Sequence, residues 1–464
     1  MLSEQLNTNT TATVFKTTPM VDSSLNANNA NGATGTHNAH WQDRAMAAMP
    51  WGVSSNFRYW PDEQIIADKA RGTYVWDVDG RRYIDYRLGF GPIILGHAYD
   101  EVTDYVAAQM RNGNLFGLTT PYEVRAAEAI KRMTGVDKVR FTNSGTESVM
   151  HAVRIARSHT NRELLLKFEG GYHGSFDYAM WSTPGTALGA MGSHKSPNPV
   201  PSSSGIPKPL YGMTLVLPAG NCDMLEKTLK ERGHQIAAIL VEPVMMNIAA
   251  LNPGKEWLHF IRRLCDEYGI VMIMDEVKTG FRIANGGAQA YFDVRADLVT
   301  YAKAMGNGFP IGAIAGTEAV MMTIERGAVG QGGTYCGNLI AVAGCEKTLE
   351  ILEREDVIGT IGRRGQRLMD GIHEVLNCHD IPNVISGVPQ CFGVIIGTDE
   401  MPHDYRSLHE SVNHELSRQL NKALRNHGVL PDPDFQEPWF LCYALSEADV
   451  DETLNVCEDA AREM

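Results

Sequence analysis

The chain has 464 residues, 44% of them hydrophobic and 21% charged, with 41 basic against 55 acidic side chains and a formal net charge of −14. That is an ordinary globular composition with room for one large and one smaller α/β domain, and an acidic balance without a basic stripe argues against nucleic acid or an anionic membrane as partner. No apolar run reaches the roughly 18 residues of a membrane span and the amino terminus lacks the build of a secretory signal, so a cytosolic location is expected.

Residues 1–40 are rich in Asn, Thr, Ser and Ala, a composition that cannot offset its ordering entropy, and are expected to form a flexible tail. Residues 41–49 read as a short amphipathic helix ended by Pro50. The runs 73–77 and 82–86 flank Asp79-Gly80, a hairpin signal. The segment 101–111 places Val102, Tyr105, Val106 and Met110 on one helical face. Residues 41–95 thus read as the amino-terminal part of a small domain, 96–337 as a large domain, and 338–464, with helices and short strands near 394–396 and 439–443, as the completion of the small one. Within the large domain, apolar runs at 138–142, 163–167, 214–217, 236–241, 270–274 and 298–300 alternate with helical stretches. Strands of that kind form a doubly wound, mostly parallel sheet covered on both faces. Residues 181–210 carry many Gly, Ser and Pro, and a loop so long is expected to be a functional lid or disordered. The eight cysteines include no Cys-x-x-Cys pair, so reduced, mostly buried thiols are expected, and no metal site.

Asp275 closes the apolar run 270–274, and Lys303 follows 28 positions later in Ala302-Lys303-Ala-Met-Gly306-Asn-Gly308. A pyridoxal 5′-phosphate enzyme needs such a pair: a lysine to form the Schiff base and a buried carboxylate to keep the pyridine nitrogen protonated as an electron sink. The structural alternative pairs Asp275 with Lys278 or Arg282. Lys278 is also a rival for the imine, but Lys303 follows a strand-like stretch and precedes a Gly-rich turn, where desolvation lowers an amine's pKa. Ser144-Gly145-Thr146 opens a helix after the strand ending at Thr142 and offers backbone N–H groups and hydroxyls to a phosphate; alone, it also fits an ordinary Ser cap. Tyr172-His173 lies past the strand at 163–167, where an aromatic can stack on a planar cofactor or merely pack against the long loop. Glu242-Pro243 ends another strand at the ligand-binding edge of such sheets, to orient a cofactor or to sit as a solvated corner.

Taken together, Ser144-Gly-Thr-Glu147, Phe168-Glu-Gly-Gly-Tyr-His-Gly174, Glu242-Pro243, Asp275-Glu-Val-Lys-Thr-Gly-Phe-Arg282, Gly286-Gly-Ala-Gln289 and Lys303 resemble the class III pyridoxal phosphate aminotransferases, nearest the glutamate-1-semialdehyde 2,1-aminomutase branch, over about residues 45–460. The resemblance implies a fold-type I enzyme, a homodimer with shared active sites. It gives Lys303 as the Schiff-base lysine and proton shuttle, Asp275 on the pyridine nitrogen, Ser144, Gly145 and Thr146 on the phosphate, Tyr172 on the ring with His173 and Glu242 beside it, and Thr334 reaching the neighbouring subunit's phosphate. Ser55 and Arg58 fall where the aminomutase branch holds the substrate carboxylate, the alternative for Arg58 being a surface ion pair, and Glu437 where that branch carries a glutamate near the substrate. Departures from the branch are the sequence around Lys303, Lys278 in place of an apolar residue, and a longer loop at 181–210. The expected activity is amino transfer between an amino donor and a carbonyl acceptor through a pyridoxamine phosphate form. The alternatives are the internal aminomutase reaction giving 5-aminolevulinate and, from another class, a non-catalytic cofactor-binding protein.

Overall fold

Apolar runs too short for helices, bounded by polar turns, become the parallel strands of the large sheet. The computed structural model describes residues 36–60, 64–325 and 329–464. Its strands in chain order are β1 (Ala67–Arg71), β2 (Tyr74–Asp77), β3 (Arg82–Asp85), β4 (Lys138–Thr142), β5 (Leu164–Phe168), β6 (Gly192–Ser193), β7 (Ser196–Pro197), β8 (Thr214–Leu217), β9 (Ile236–Val241), β10 (Val271–Glu276), β11 (Leu298–Ala302), β12 (Gly312–Gly316), β13 (Asn383–Val388), β14 (Cys391–Ile396), β15 (Val429–Leu430) and β16 (Trp439–Phe440).

The large sheet has the order β4-β12-β11-β10-β9-β5-β8, with β8, β5, β9, β10 and β11 paired in parallel and β12 antiparallel to both its neighbours. Both faces are covered. Along β10, Val271 and Ile273 enter the cluster built on Val149, Val153 and Ala156 of the helix Gly145–Thr160, while Met272 and Met274 enter the cluster on the opposite face. The two-residue period of a strand therefore buries every position, which is why β5, β9 and β10 carry no solvent-facing polar alternation. The doubly wound α/β fold expected from the sequence is present. The antiparallel strand β12 is an addition: in Gly312-Ala-Ile-Ala-Gly316 small residues leave no alternation to read. They are required there, because a Cβ at Gly312 would stand 2.6 Å from Thr142 Oγ1 and 2.7 Å from Ser148 Oγ.

The hairpin around Asp79-Gly80 joins β2 and β3, with Asp77 Oδ1 accepting from the N–H groups of Asp79 (3.1 Å) and Arg81 (2.8 Å). Strand β1 extends it, and β15, from the far end of the chain, adds in parallel to β3. Three expectations need correction. The first helix runs Thr36–Ala48, so residues 36–40 are helical, while the rest of the expected tail lies outside the described residues. That helix is also not held by an apolar face: Trp41 and Met46 are exposed, and it is buried Asn38 that anchors it, accepting from Ile66 N–H at 2.8 Å and donating to Gln64 O at 3.1 Å. In the helix Asp100–Met110 only Val102 and Val106 are buried, and Met110 faces solvent.

The long segment 181–210 is not an open loop but holds two short 3-10 turns, Leu188–Ala190 and Lys208–Leu210. Trp181 is fully buried and its carbonyl accepts from Lys167 Nζ at 2.7 Å, and β6 and β7 pair as a small hairpin. Arg406, in the helix Tyr405–Ser411, donates to Met191 O (2.9 Å) and Gly192 O (2.7 Å) while its guanidinium grips Glu169 at 2.8 and 2.7 Å. This bidentate pair is buried, and removing one partner strands the other's charge. Arg406→Ala should lower stability by about 3–5 kcal/mol and open residues 181–210 to limited proteolysis; a variant with wild-type melting and cleavage would refute the anchoring.

Candidate active site

Asp275 sits at the carboxyl end of β10, the register pairing it with Thr300 on β11. Its Oδ1 accepts from Thr300 Oγ1 at 3.0 Å and from Val277 N–H at 3.1 Å, and its Oδ2 meets His173 Nδ1 at 2.7 Å. The carboxylate is buried. An isolated carboxylate there would be costly, but three donors occupy most of its roughly four lone-pair positions and leave capacity for one more. Neither Lys278 nor Arg282 is the partner. Arg282, fully buried, donates to Leu441 O and Gly91 O at 2.8 and 2.5 Å, and Lys278 pairs with Glu437 at 2.6 Å. Neighbouring Glu276 is buried differently, on backbone N–H groups at the start of the helix Gly287–Phe292, and burial pushes its carboxyl up to about 7.

Lys303 starts the turn Lys303–Gly306 directly after β11 with φ +51°, a left-handed backbone that a side chain adopts only where its surroundings impose it. The brace is Asn307, which accepts from Leu95 N–H at 2.9 Å and donates to Gly96 O at 3.2 Å. The Lys303 side chain is only part-buried by surface, yet its amine lies deep among protein atoms. That amine has no hydrogen bond or ion pair among the described residues. Burial first, and then the positive charge of Lys278, push it down to about 7, against the pull of Glu437, Asp275 and Glu242.

The other expected residues stand as follows. Ser144 is indeed the cap of the helix Gly145–Thr160, its hydroxyl accepting from Glu147 N–H at 3.2 Å. The cap does not consume the helix start: the first N–H groups, those of Gly145 and Thr146, have no partner within a helix, and all three residues are part-exposed. Gly145 packs on Val277, whose methyls a Cβ would meet at 2.9 Å, and Thr146 Oγ1 accepts from Ser175 N–H at 3.2 Å. Tyr172 is half-buried with the Phe57 ring edge-on at 5.4 Å, and its N–H donates to Glu242 Oε1 at 2.9 Å. Glu242 is not a solvated corner. It is buried, accepts also from Met246 N–H and Asn247 Nδ2, and its carboxyl is raised by desolvation. The Phe57 contact brings the segment of Ser55 and Arg58 beside Tyr172; Arg58 is exposed and has no ion-pair partner among the described residues. Thr334 is exposed, with no hydrogen bond to Ser144, Gly145 or Thr146 of its own chain.

One side chain and one pairing escaped sequence reasoning. Thr300 is visible only through the β10–β11 register, and the Lys278–Glu437 pair joins positions 159 apart, with no local signal for their meeting. Among the described residues no cluster suited to a metal ion occurs, and no helix is long and apolar enough to cross a membrane. All eight cysteines are free and five of them buried.

An unpartnered, desolvated amine facing a buried carboxylate, with a helix start nearby, is the set of groups that amino-transfer chemistry uses. The family model for class-III aminotransferases matches residues 59–459. The chain belongs to that family. A glutamate-1-semialdehyde 2,1-aminomutase from Methanopyrus kandleri is 37% identical over 419 residues, covering 90% of this chain and 95% of the relative. An omega-transaminase from Sphaerobacter thermophilus superposes with a TM-score of 0.87 at 28% identity, covering 94% of this chain and 99% of that one. A transaminase solved with PLP bound gives a TM-score of 0.82 at 26% identity, covering 93% and 98%.

The low amine pKa is directly measurable. In cofactor-free protein, labelling of Lys303 by an amine-reactive reagent should rise with a midpoint near pH 7, where an ordinary lysine waits until about 10.5. A midpoint near the ordinary value would contradict the desolvated setting.

Proposed function

We propose that this family member is a cytosolic pyridoxal 5′-phosphate enzyme moving an amino group on a small carboxylated substrate, and that the reaction is the internal transfer of a glutamate-1-semialdehyde 2,1-aminomutase. The observation that carries the chemistry is the unpaired Lys303 amine, held down to about 7, with the buried, still unsaturated carboxylate of Asp275 among the charges around it. Similarity at 37% identity over 90% of the chain to an enzyme of that name favours the internal form.

When bound, the cofactor supplies an electron sink for the charge left as a C–H bond beside the nitrogen breaks. The residues do the rest. Lys303 Nζ, pushed down to about 7 and so about half neutral at that pH, would take up and return the proton of the substrate carbon. Asp275, oriented by Thr300 and His173, holds the proton on the ring nitrogen. The N–H groups of Gly145 and Thr146, with the Ser144 and Thr146 hydroxyls, hold the phosphate with the helix dipole behind them. Tyr172 covers the ring, and Glu242 fixes Tyr172 through its backbone. Ser55 and Arg58 receive the substrate carboxylate, for which an exposed guanidinium with no partner among the described residues is suited, and Glu437 borders the same space. A homodimer completes the site with Thr334 on the partner's phosphate. Exposed Leu118, Phe116 and Tyr335, and a groove of about 520 Å³ lined by Val124, Arg140 and Gly333, support that assembly.

One observation favours a second reading, transfer between separate donor and acceptor molecules. An internal transfer between adjacent carbons passes through a species with two amines, and Lys278 adds a positive charge where the second ammonium needs an anion. Incubation with glutamate 1-semialdehyde and no amino acceptor decides between them: 5-aminolevulinate is expected, and its absence, with turnover restored by an external donor and acceptor pair, would establish the second reading.

Two variants test the residues. Borohydride should fix the cofactor covalently to Lys303, and Lys303→Ala should lose both that fixation and turnover while keeping its fold by circular dichroism; retained turnover would overturn the assignment. Arg58→Ala should raise KM for carboxylated substrates roughly tenfold or more with little change for neutral amines, and an equal change for both would remove the clamp.

A further inference from the structure

Lys278 is a buried cation beside the reactive lysine, and the chemistry described so far does not use it. Its amine donates to Glu437 Oε2 at 2.6 Å and to Met246 O at 3.2 Å, and it lies 5.7 Å from the centre of the Phe440 ring. Glu437 is itself mostly covered, with 17% of its side chain exposed against 6% for Lys278. Two buried charges this close form a neutral unit that is expensive to split.

The groups facing Lys303 come from four places: Lys278 in the loop after β10, Glu437 in the loop before β16, Asp275 at the end of β10 and Glu242 at the end of β9. Asp275 is engaged by Thr300, Val277 and His173, and Glu242 by Tyr172, Met246 and Asn247. Behind Glu437 lie Asp434 and Asp432, the latter paired to Arg87 at 2.8 Å. Glu437 is thus the anion whose own partner decides whether Lys303 gains a counterion. Of the three anions it also pulls hardest on the Lys303 proton, and among the described residues Lys278 is the cation opposing it.

We propose that Lys278 is a positioning residue that occupies the Glu437 carboxylate and so denies Lys303 a counterion, leaving its amine free to act as base and nucleophile. The role assigned to Lys303 rests on the proposed function, but the charge arrangement does not. In a site with an apolar residue at position 278, Glu437 would stand uncompensated and draw a proton onto Lys303. The pair therefore performs by charge part of what burial performs by desolvation.

The test is the pH dependence of Lys303 labelling by trinitrobenzenesulfonate in the full-length, cofactor-free protein, read on the Lys303 peptide by mass spectrometry. Lys278→Met should raise the midpoint by about one pH unit or more, and Lys278→Arg should leave it near wild type. Glu437→Gln should lower it, and the double variant should return toward wild type. Opposite signs with mutual cancellation are what a charge pair produces; a packing defect would move both variants the same way or neither. An unchanged midpoint in Lys278→Met, or shifts of like sign in the two single variants, would overturn the proposal. Should Lys278→Met fail to fold, Glu437→Gln decides alone, a midpoint that stays or rises counting against. The labelling needs no cofactor, so a wild-type protein that failed to bind pyridoxal phosphate would defeat the proposed function without touching this result.

Discussion

The constraint on which the site depends is the burial of a carboxylate at the end of a strand covered on both faces. Asp275 tolerates that position because donors from three separate elements converge on it: a hydroxyl from β11, a backbone N–H from its own loop and an imidazole from the loop after β5. Each depends on the parallel sheet. The register that sets Asp275 opposite Thr300 also brings the ends of β5, β9, β10 and β11 to one edge, the edge where open α/β sheets bind ligands. A slip of one residue in β10 would turn Asp275 to the other face of the sheet and leave His173 and Thr300 without their acceptor.

Strain and charge are arranged around that anchor. Lys303 follows β11 with its backbone in the left-handed region, and Asn307, also left-handed at φ +42°, holds the turn by two hydrogen bonds to residues 95 and 96. The amine is therefore fixed by a turn braced from outside its own strand, which suits a group that must stay aimed while losing and regaining a proton. Arg282 adds a second brace, a fully buried guanidinium joining the loop after β10 to Gly91 and Leu441.

Much of this was legible in the sequence. The parallel strands of the large sheet and the Asp275 and Lys303 motifs follow from local pattern, since continuous apolar runs and Gly-rich turns report burial and backbone freedom directly. What was hidden depends on pairing over long separations. β12 lacks alternation because its neighbours demand small residues. The 181–210 loop looks featureless because its order comes from Arg406, more than 200 positions away from the Met191 and Gly192 carbonyls it holds. Glu242 before Pro243 reads as a corner until the buried N–H groups of Tyr172 and Met246 are seen to converge on it. Lys278 shows locally only as a charge where an apolar residue was expected.

That last departure bears on how one framework serves two kinds of amino transfer. The groups proposed for cofactor chemistry, Lys303, Asp275 and the helix start, make no distinction between a substrate that keeps both its nitrogens and one that exchanges them. Under the proposed function, that distinction falls to the charges around Lys303, Lys278 and Glu437 first among them. Lys278 and Arg282 stand 5.7 and 5.2 Å from the centre of the same Phe440 ring, so β16 and the Glu437 loop before it are held by two cations from the loop after Asp275. A carboxylate held in that way is rigid and largely neutralised, and a second ammonium on the substrate finds less stabilisation beside it than beside a free glutamate. Under the proposed function, selection between internal and external transfer would then rest on the Lys278–Glu437 ion pair, apart from the residues proposed to hold the cofactor.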